Sequence, residues 1–256
     1  MEGMEHKVVE EGGSEIPELP SILELLGVDM HSHLFGLPMI DWVPVFMSFA
    51  VILFLTGLAF LSTRNLKKQP GALQATVEMI VLGLEDFLKG IMGPFASKHL
   101  PLLGTLFIYI LTMNLWGHIP TMHSPTNKLG TTLALALVIF FVTHYEGAKK
   151  YGAWGYVRHH MIGPVPWMLG PLMLVIHIVS ELARPISLSI RLFCNILGED
   201  VIIGMIVLLV APFFVPVHII VSLLALLFSL IQALVFTLLS AVYIGGAVGA
   251  LEGEGH

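Results

Sequence analysis

The segment from residue 172 to residue 210 carries ionisable side chains inside an otherwise apolar stretch. Two arginines, an amide and several carboxylates occur there: Glu181, Arg184, Arg191, Asn195, Glu199 and Asp200. A charged side chain near the centre of a bilayer costs about 2.5–3.5 kcal/mol, so such residues usually belong to a transport pathway. Arginine cannot lose its charge, whereas a buried carboxylate can take up a proton. The combination predicts ion transport.

The spacing of these residues predicts a polar stripe on one helix. At about 100° per residue, Arg184 and Arg191 lie about 20° apart on the helix surface. Ser187 and Asn195 lie one turn on either side of Arg191. His177 falls within about 40° of the same face. The stripe therefore combines permanent cations with neutral polar groups and one histidine.

The carboxylates lie away from this stripe, with Glu199 about 80° round the helix and Asp200 on the opposite side. A permanent cation on one face and a titratable carboxylate on another allow two aqueous approaches with a positive barrier between them. Alternatively, Arg191 pairs with Glu199 or Asp200 inside a helix bundle. The spacing gives no i,i+4 pair, which weakens this alternative.

The composition indicates an all-α integral membrane protein. The chain is 56% hydrophobic and only 12% charged, against about 25% charged residues in a soluble domain. We divide it into an acidic extramembrane segment, 1–42, and a polytopic membrane domain, 43–256. The acidic segment lacks the basic and apolar regions of a cleavable signal peptide. The single cysteine, Cys194, excludes an intramolecular disulfide.

Five apolar stretches are long enough to cross a hydrocarbon core of about 30 Å. We predict spans at 43–63, 101–119, 129–146, 167–210 and 217–250. The last two are too long to stand upright, because forty helical residues measure about 60 Å, so we expect them to be strongly tilted. Pro185 is a possible kink in the first of them.

A further helix, 72–92, is amphipathic and is predicted to lie at the membrane surface or against a partner. Its two faces are an apolar face, with Leu73, Val77, Ile80, Leu84, Leu88 and Ile91, and a polar face, with Gln74, Glu78, Glu85 and Lys89.

Basic residues are distributed unequally between the two sets of connecting segments. One side has only Lys7 and Lys128, and the other has Arg64, Lys67, Lys68, Lys89, Lys98, Lys149, Lys150 and Arg158. The positive-inside rule makes the second side cytoplasmic. This predicts an outside N-terminus and a cytoplasmic C-terminus.

The residues around Arg191 resemble a known signature. The run Ser187-Leu-Ser-Ile-Arg191-Leu-Phe-Cys-Asn195, followed by Gly198-Glu199-Asp200, is similar to the pattern of subunit a of bacterial F-type ATP synthases. The segment from Ile231 to Tyr243, which contains Gln232, resembles the last helix of that family, and residues 111–120 resemble its second-span motif. The resemblance covers most of the chain from about residue 40. Cys194 replaces the usual glycine of the signature.

This resemblance implies the ion-translocating stator subunit of the membrane (Fo) sector, which supplies two proton half-channels to a rotating c-ring. It implies that Arg191 is the essential arginine, which attracts each ring carboxylate in its ionised form, and that Gln232 faces it from the last helix. It also implies that four further residues line or gate a half-channel: Asn195, Glu199, Asp200 and His177. Counting from Arg191 selects Asp200 for the acidic role, and counting from the preceding glycine selects Glu199.

The resemblance also implies partners and a location. The partners are the c-ring subunits, a b-type peripheral stalk subunit, the whole F1Fo complex and the lipid bilayer, in a bacterial inner membrane. Such a subunit couples proton flow to ATP synthesis without catalysing bond chemistry itself.

Several other functions receive little support. The chain has no phosphate-binding loop, zinc-protease, serine-hydrolase or dinucleotide motif, so an intramembrane enzyme is disfavoured. The histidines lack supporting ligands at metal-binding spacing, and nothing predicts a cofactor, a metal site or a nucleic-acid partner.

We interpret His144 as interfacial and Arg184 as reaching towards the cytoplasmic interface. The remaining alternative is a stand-alone ion channel or carrier with a buried arginine as an anion site.

Overall fold

A computed structural model describes residues 33–34, 37–38, 42–64, 71–118, 124–156, 170–209 and 214–249 of the chain. The predicted acidic segment 1–42 lies almost wholly outside these residues. Lys7, Lys67, Lys68 and Arg158 also lie outside them, and so does the side chain of Asp200.

The described chain is helical, as predicted. The helices are α1 (Val43–Thr63), α2 (Ala72–Met92), α3 (Ala96–Trp116), α4 (Leu129–Tyr151), α5 (Ala153–Tyr156), α6 (Gly170–Leu209) and α7 (Phe214–Ala247). Short 3-10 turns occupy Gly93–Phe95 and Pro125–Asn127. Two-residue strands β1 (His33–Leu34) and β2 (Leu37–Pro38) pair antiparallel, with Leu34 opposite Leu37.

Within the described residues, five helical stretches are long and apolar enough to cross a membrane. They are Val43–Thr63, Ala72–Trp116, Leu129–Tyr151, Leu172–Glu199 and Ile219–Ala247. The second stretch contains both α2 and α3. The number agrees with the five predicted spans, and the tilt of α6 and α7 in the membrane stays a prediction.

The helix ends differ from the sequence estimates by at most five residues, and the two largest differences are at the start of α3 and the end of α4. Helix α3 begins at Ala96, before the predicted start at Pro101, because Ala96 and His99 of its first turns are buried against neighbouring helices. A proline near a helix start removes few backbone hydrogen bonds, so the helix continues through it. Helix α4 continues to Tyr151, beyond the predicted end at 146. Helix α6 runs through Pro185 without interruption.

Helix α2 confirms only part of its predicted amphipathic pattern. Leu84 and Leu88 are buried, whereas Leu73 and Ile80 of the predicted apolar face are exposed. Gln74 was expected on the polar face and is instead buried, where its amide donates a hydrogen bond to Glu78. A partly buried amide is tolerated because this hydrogen bond satisfies it.

One hydrophobic core holds the long helices around the middle of α6. Its buried members come from α1, α2, α3, α4, α6 and α7: Val51, Leu84, Leu106, Phe107, Ile110, Met113, Ala136, Ile139, Leu188, Leu192, Ala233 and Phe236. A second cluster joins α2, α3 and α7 through Leu88, Met92, Ala96, Leu103, Ala241 and Ile244. These contacts fix α6 against α4 and α7.

Candidate functional site

Arg191 lies at the centre of α6 on its exposed face. Its neighbours Leu188 and Leu192 are buried in the core, where they pack with Ala233 and Phe236 of α7. Gln232 precedes Ala233, so it lies at the same level of the bundle as Arg191. Gln232 is 6% exposed, and its Nε2 atom has no hydrogen-bond partner among the described residues.

The possible pairing of Arg191 with Glu199 does not occur. Glu199 contacts His118 of α3 instead, and Arg191 forms no ion pair with any carboxylate of the described side chains. Pairing with Asp200 is not tested, because that side chain lies outside the description. The Arg191 guanidinium is therefore available on the outer surface of the described chain.

Glu199, His118 and Asn195 form one polar group, which we call the Glu199 cluster. Nε2 of His118 lies 3.0 Å from Oε1 of Glu199, and the two side chains are 17% and 12% exposed. Asn195 lies one turn before Glu199 on α6 and is partly buried. The structure thus brings together two predicted channel residues and adds a histidine from α3.

A cavity of about 270 Å³ opens beside this cluster, between α6 and α7. Asn195 and Glu199 line it together with Cys194, Gly198, Ile202, Val221, Leu224, Ala225 and Phe228. Nδ2 of Asn195 and Oε2 of Glu199 are buried without a hydrogen-bond partner in the described part of the chain. A cavity of this size with polar atoms in its wall can hold several water molecules.

A hydrogen-bonded turn fixes the end of α3 that carries His118. Thr126 donates to Oδ1 of Asn114 at 3.0 Å, and its hydroxyl lies 2.7 Å from that of Ser124. Ser124 donates to the Met113 carbonyl at 3.1 Å. Gly117 permits the close approach, because a Cβ there would lie 2.8 Å from Cβ of Ser124.

A second group, the Glu181 cluster, contains Glu181, Arg184, His177 and His144. The Glu181 side chain is 5% exposed, and Nη1 of Arg184 lies 2.8 Å from its Oε1 atom. Nε2 of His177 lies 3.3 Å from the same oxygen, and Nε2 of His144 lies 3.9 Å from the other. The Arg184 contact is an ion pair rather than an aligned hydrogen bond. One buried carboxylate thus has three basic neighbours.

Two tyrosines close the Glu181 cluster. The guanidinium of Arg184 lies over the Tyr243 ring, 5.0 Å from its centroid. Tyr156 packs edge-on against the His144 ring, with centroids 5.9 Å apart. Burial, and secondarily the negative charge of Glu181, raise the pKa of Tyr156 to about 12, so its phenol stays protonated at neutral pH. The cavity beside the cluster is only about 10 Å³, close to the minimum for one water molecule.

The two clusters lie on opposite sides of Arg191 along α6. Glu181 is ten residues before Arg191 and Glu199 is eight residues after it, which at 1.5 Å per residue gives about 15 Å and about 12 Å. Within the described part of the chain, no group of three His, Cys, Asp or Glu side chains is arranged to hold a metal ion. The arrangement suits proton transfer at two separate carboxylates.

Comparison with known proteins identifies the family. The protein family described as ATP synthase A chain matches residues 45–245 of this sequence, and these residues include both clusters and Arg191. The chain belongs to the ATP synthase subunit a family. It is 40% identical over 238 residues to ATP synthase subunit a of Nitratidesulfovibrio vulgaris (strain DP4), covering 92% of this chain and 97% of that protein.

Other members of the subunit a family are similarly related. ATP synthase subunit a of Protochlamydia amoebophila is 35% identical over 242 residues, covering 90% of this chain and 89% of that protein. The protein of the same name from Trichlorobacter lovleyi is 41% identical over 204 residues, covering 80% and 86%. The similarity to these bacterial proteins and the five apolar helical stretches indicate that this chain is a multi-pass membrane protein.

Sequence reasoning missed some of the contacts in the two clusters. Glu181 was not selected, although its positions four after His177 and three before Arg184 predict contact on a helix. Arg184 also contacts Glu181, with Nη1 2.8 Å from Oε1, and its position at the cytoplasmic interface stays a prediction. His118 and His144 carry no such local signal, since their partners lie on another helix.

Proposed function

We propose that this chain is the ion-translocating stator subunit of the Fo sector of an F-type ATP synthase. It supplies two proton half-channels to a rotating c-ring and so couples proton flow to ATP synthesis. The observation that carries the proposal is the placement of two largely buried carboxylates, Glu181 and Glu199, on either side of the exposed Arg191 of one helix. Membership of the subunit a family supports it.

The Glu199 cluster is the wider half-channel. Its cavity of about 270 Å³ has room for water beside Asn195 and Glu199. A carboxylate in contact with such water can exchange protons with it, and the apolar wall contributed by α7 keeps other ions away. Asp200 stays a second candidate for the acidic role in this half-channel.

The Glu181 cluster is the narrower half-channel. His177, which the sequence had selected, contacts Glu181 at 3.3 Å, and His144 approaches from α4. An imidazole can accept a proton on one nitrogen and donate one from the other, so each histidine can relay a proton to Glu181. Arg184 keeps a positive charge beside Glu181 throughout.

Arg191 separates the two half-channels. A permanent cation repels protons and other cations that approach from either cluster, and it attracts a ring carboxylate in its ionised form. The exposed side of α6 also carries Ile186, Ile190 and Leu197, about 100–140° round the helix from Arg191, which suits contact with an apolar ring helix. Gln232 lies at the same level on α7 and supplies a neutral polar group.

The orientation in the membrane follows from the basic residues. Lys98 contacts Glu146, and Lys150 contacts the Val248 carbonyl, so the start of α3 and the ends of α4 and α7 meet at one end of the bundle. Lys89 and Lys149 belong to the same end, at the ends of α2 and α4. The positive-inside rule makes this end cytoplasmic. The Glu181 cluster is then on the cytoplasmic side, and the N-terminus is outside.

The first test is purification of the tagged chain from its native membrane in mild detergent. The proposal predicts that a very hydrophobic hairpin protein, a b-type stalk subunit and soluble ATPase subunits purify with it in fixed proportions. A parallel reconstitution of the isolated chain in liposomes should show no ion flux of its own. A chain that purifies alone and conducts ions would instead indicate a stand-alone channel or carrier.

A further inference from the structure

His118 is a basic residue of the Glu199 cluster whose role the proposed function leaves open. We propose that His118 is a proton-carrying residue of the wider half-channel and exchanges a proton directly with Glu199. The inference rests on the proposed function. It makes the acidic site of this half-channel a histidine–carboxylate pair that joins α3 to α6.

The surroundings of the imidazole determine which nitrogen carries the exchangeable proton. Nδ1 of His118 lies 3.3 Å from the backbone carbonyl oxygen of Asn114. A carbonyl oxygen only accepts hydrogen bonds, so Nδ1 carries the donated proton. Nε2 is then the atom that gains or loses a proton, and it lies 3.0 Å from Oε1 of Glu199. A small rotation that aligns the two groups gives a direct hydrogen bond.

The proton step is a simple exchange between two atoms. The N–H bond at Nε2 of the imidazolium breaks and an O–H bond forms on the Glu199 carboxylate, which leaves a neutral imidazole and a neutral carboxylic acid. A proton from water in the cavity restores the imidazolium. The acid then releases its own proton towards the ring.

The described hydrogen-bonded groups that surround the pair are neutral. Asn114, Ser124 and Thr126 are neutral and form hydrogen bonds with one another or with the backbone. Asn195 is neutral, and Cys194 lines the same cavity. The α7 wall of the cavity is apolar, with Val221, Leu224, Ala225 and Phe228. The ionisable residues that adjoin the site along the chain are Asp200 on α6 and Lys128 at the start of α4.

The rigid attachment of His118 favours a function in proton transfer. The buried hydrogen bonds of Asn114, Ser124 and Thr126 fix the last turn of α3, and Gly117 allows Ser124 to approach. A proton-transfer residue must stay within hydrogen-bond reach of its partner. The Glu181 cluster has a permanent cation in Arg184, whereas the described neighbours of Glu199 offer only this titratable base.

The test uses the complete ATP synthase, purified and reconstituted in liposomes, with His118→Gln as the variant. The glutamine retains hydrogen-bonding capacity but cannot carry a proton. His99→Gln is the matched control, because His99 is also a buried histidine of α3 but lies outside both clusters. ATP synthesis driven by an imposed proton gradient is measured with the pH on the side of the Glu199 cluster varied from about 5.5 to 9, the range in which histidine titrates.

We expect His118→Gln to lower the rate about tenfold. This is less than the roughly 10²-fold loss typical of a positioned proton-transfer group, because cavity water partly replaces the histidine. The variant should also lose a titration step that the wild type and His99→Gln both show. The exchange variant H118E/E199H should restore most of the rate, since it keeps one acid and one base in the pair.

Four outcomes would overturn the inference or separate it from the proposed function. A rate for His118→Gln that falls uniformly with an unchanged pH profile would make the histidine structural, and an unchanged rate would make it a bystander. If Glu199→Gln is impaired while His118→Gln is normal, only this inference fails. If Glu199→Gln is also normal, Glu199 is not the acidic residue of the wider half-channel. An impaired Asp200→Asn variant would then assign that role to Asp200, and a normal one would show that the half-channel itself is wrongly assigned.

If His118→Gln assembles poorly, the ATP synthesis rate of H118E/E199H per assembled complex is the test. A rate near that of the wild type supports the inference, and a rate as low as that of His118→Gln contradicts it.

Discussion

The Glu181 and Glu199 clusters each contain a buried carboxylate, but they differ in the groups that compensate its negative charge. Both place one largely buried carboxylate on α6 beside a histidine from a neighbouring helix. Glu181 also has Arg184 at 2.8 Å and a cavity of only about 10 Å³. Glu199 has no permanent cation among its described neighbours and lines a cavity of about 270 Å³.

This difference shows that a carboxylate in an apolar helix bundle can be stabilised either by a permanently charged side chain or by a cavity with room for water. A buried carboxylate without compensation is costly in either case. Arg184 supplies the compensation for Glu181 permanently, so that site is tight. In the proposal made above, the cavity and His118 supply it for Glu199 reversibly, so that site depends on proton uptake. The predictions below test this contrast.

Removal of the permanent cation should give the largest change in stability. We expect Arg184→Leu to lower the free energy of unfolding by about 1–3 kcal/mol. Breaking a buried ion pair costs about 3–5 kcal/mol, and water screens part of this one because Arg184 is 34% exposed. Denaturant titration of the purified complex measures the loss.

The Arg184 prediction has an internal control. The double variant E181Q/R184L should regain most of the stability, since it leaves no unpaired charge. Wild-type stability for Arg184→Leu would show that the ion pair does not hold the cluster.

Adding a methyl group at a glycine beside each cluster should give the second-largest loss of stability. A Cβ at Gly147 would lie 2.3 Å from the Tyr156 ring, and a Cβ at Gly117 would lie 2.8 Å from Cβ of Ser124. Overpacking of this kind costs about 1–3 kcal/mol, and we expect Gly147→Ala to be the more costly. Thermal denaturation of the complex measures both variants.

The control for these two variants is Gly90→Ala, whose added Cβ meets nothing within 4 Å. It should be neutral or stabilising by up to about 1 kcal/mol, because alanine favours the helix. The double variant G147A/Y156A should lose less than the sum of the single losses, since the ring that clashes is absent. Additive losses would refute the clash.

The smallest effect should come from buried hydroxyl groups. Thr126→Val removes the bond to Asn114 and the contact with Ser124, and we expect a loss of about 1–2 kcal/mol because buried polar partners remain. Ser189→Ala removes only a bond to the Ile186 carbonyl of its own helix, so it should cost less than about 1 kcal/mol. Denaturation midpoints compare them, and a larger loss for Ser189→Ala would contradict the ranking.

The sequence predicted the helical membrane fold because its signals are local, and the site around Arg191 stays a prediction drawn from signals of the same kind. Long apolar runs define the spanning stretches, and the polar stripe around Arg191 follows from helical periodicity. The His118–Glu199 and His144–Glu181 contacts join residues on different helices, and periodicity within one helix contains no information about them. The start of α3 was misplaced for a similar reason, because tertiary burial of Ala96 and His99 extends a helix past a proline that locally indicates a boundary.

The central claim is that Arg191 separates the two half-channels, and coupled ATP synthesis by an Arg191→Ala variant tests it most directly. The control is Arg64→Ala, an exposed arginine at the end of α1. With equal assembly of both complexes, Arg191→Ala should abolish proton-driven ATP synthesis, while Arg64→Ala should match the wild type. Retained coupling in Arg191→Ala would contradict the account.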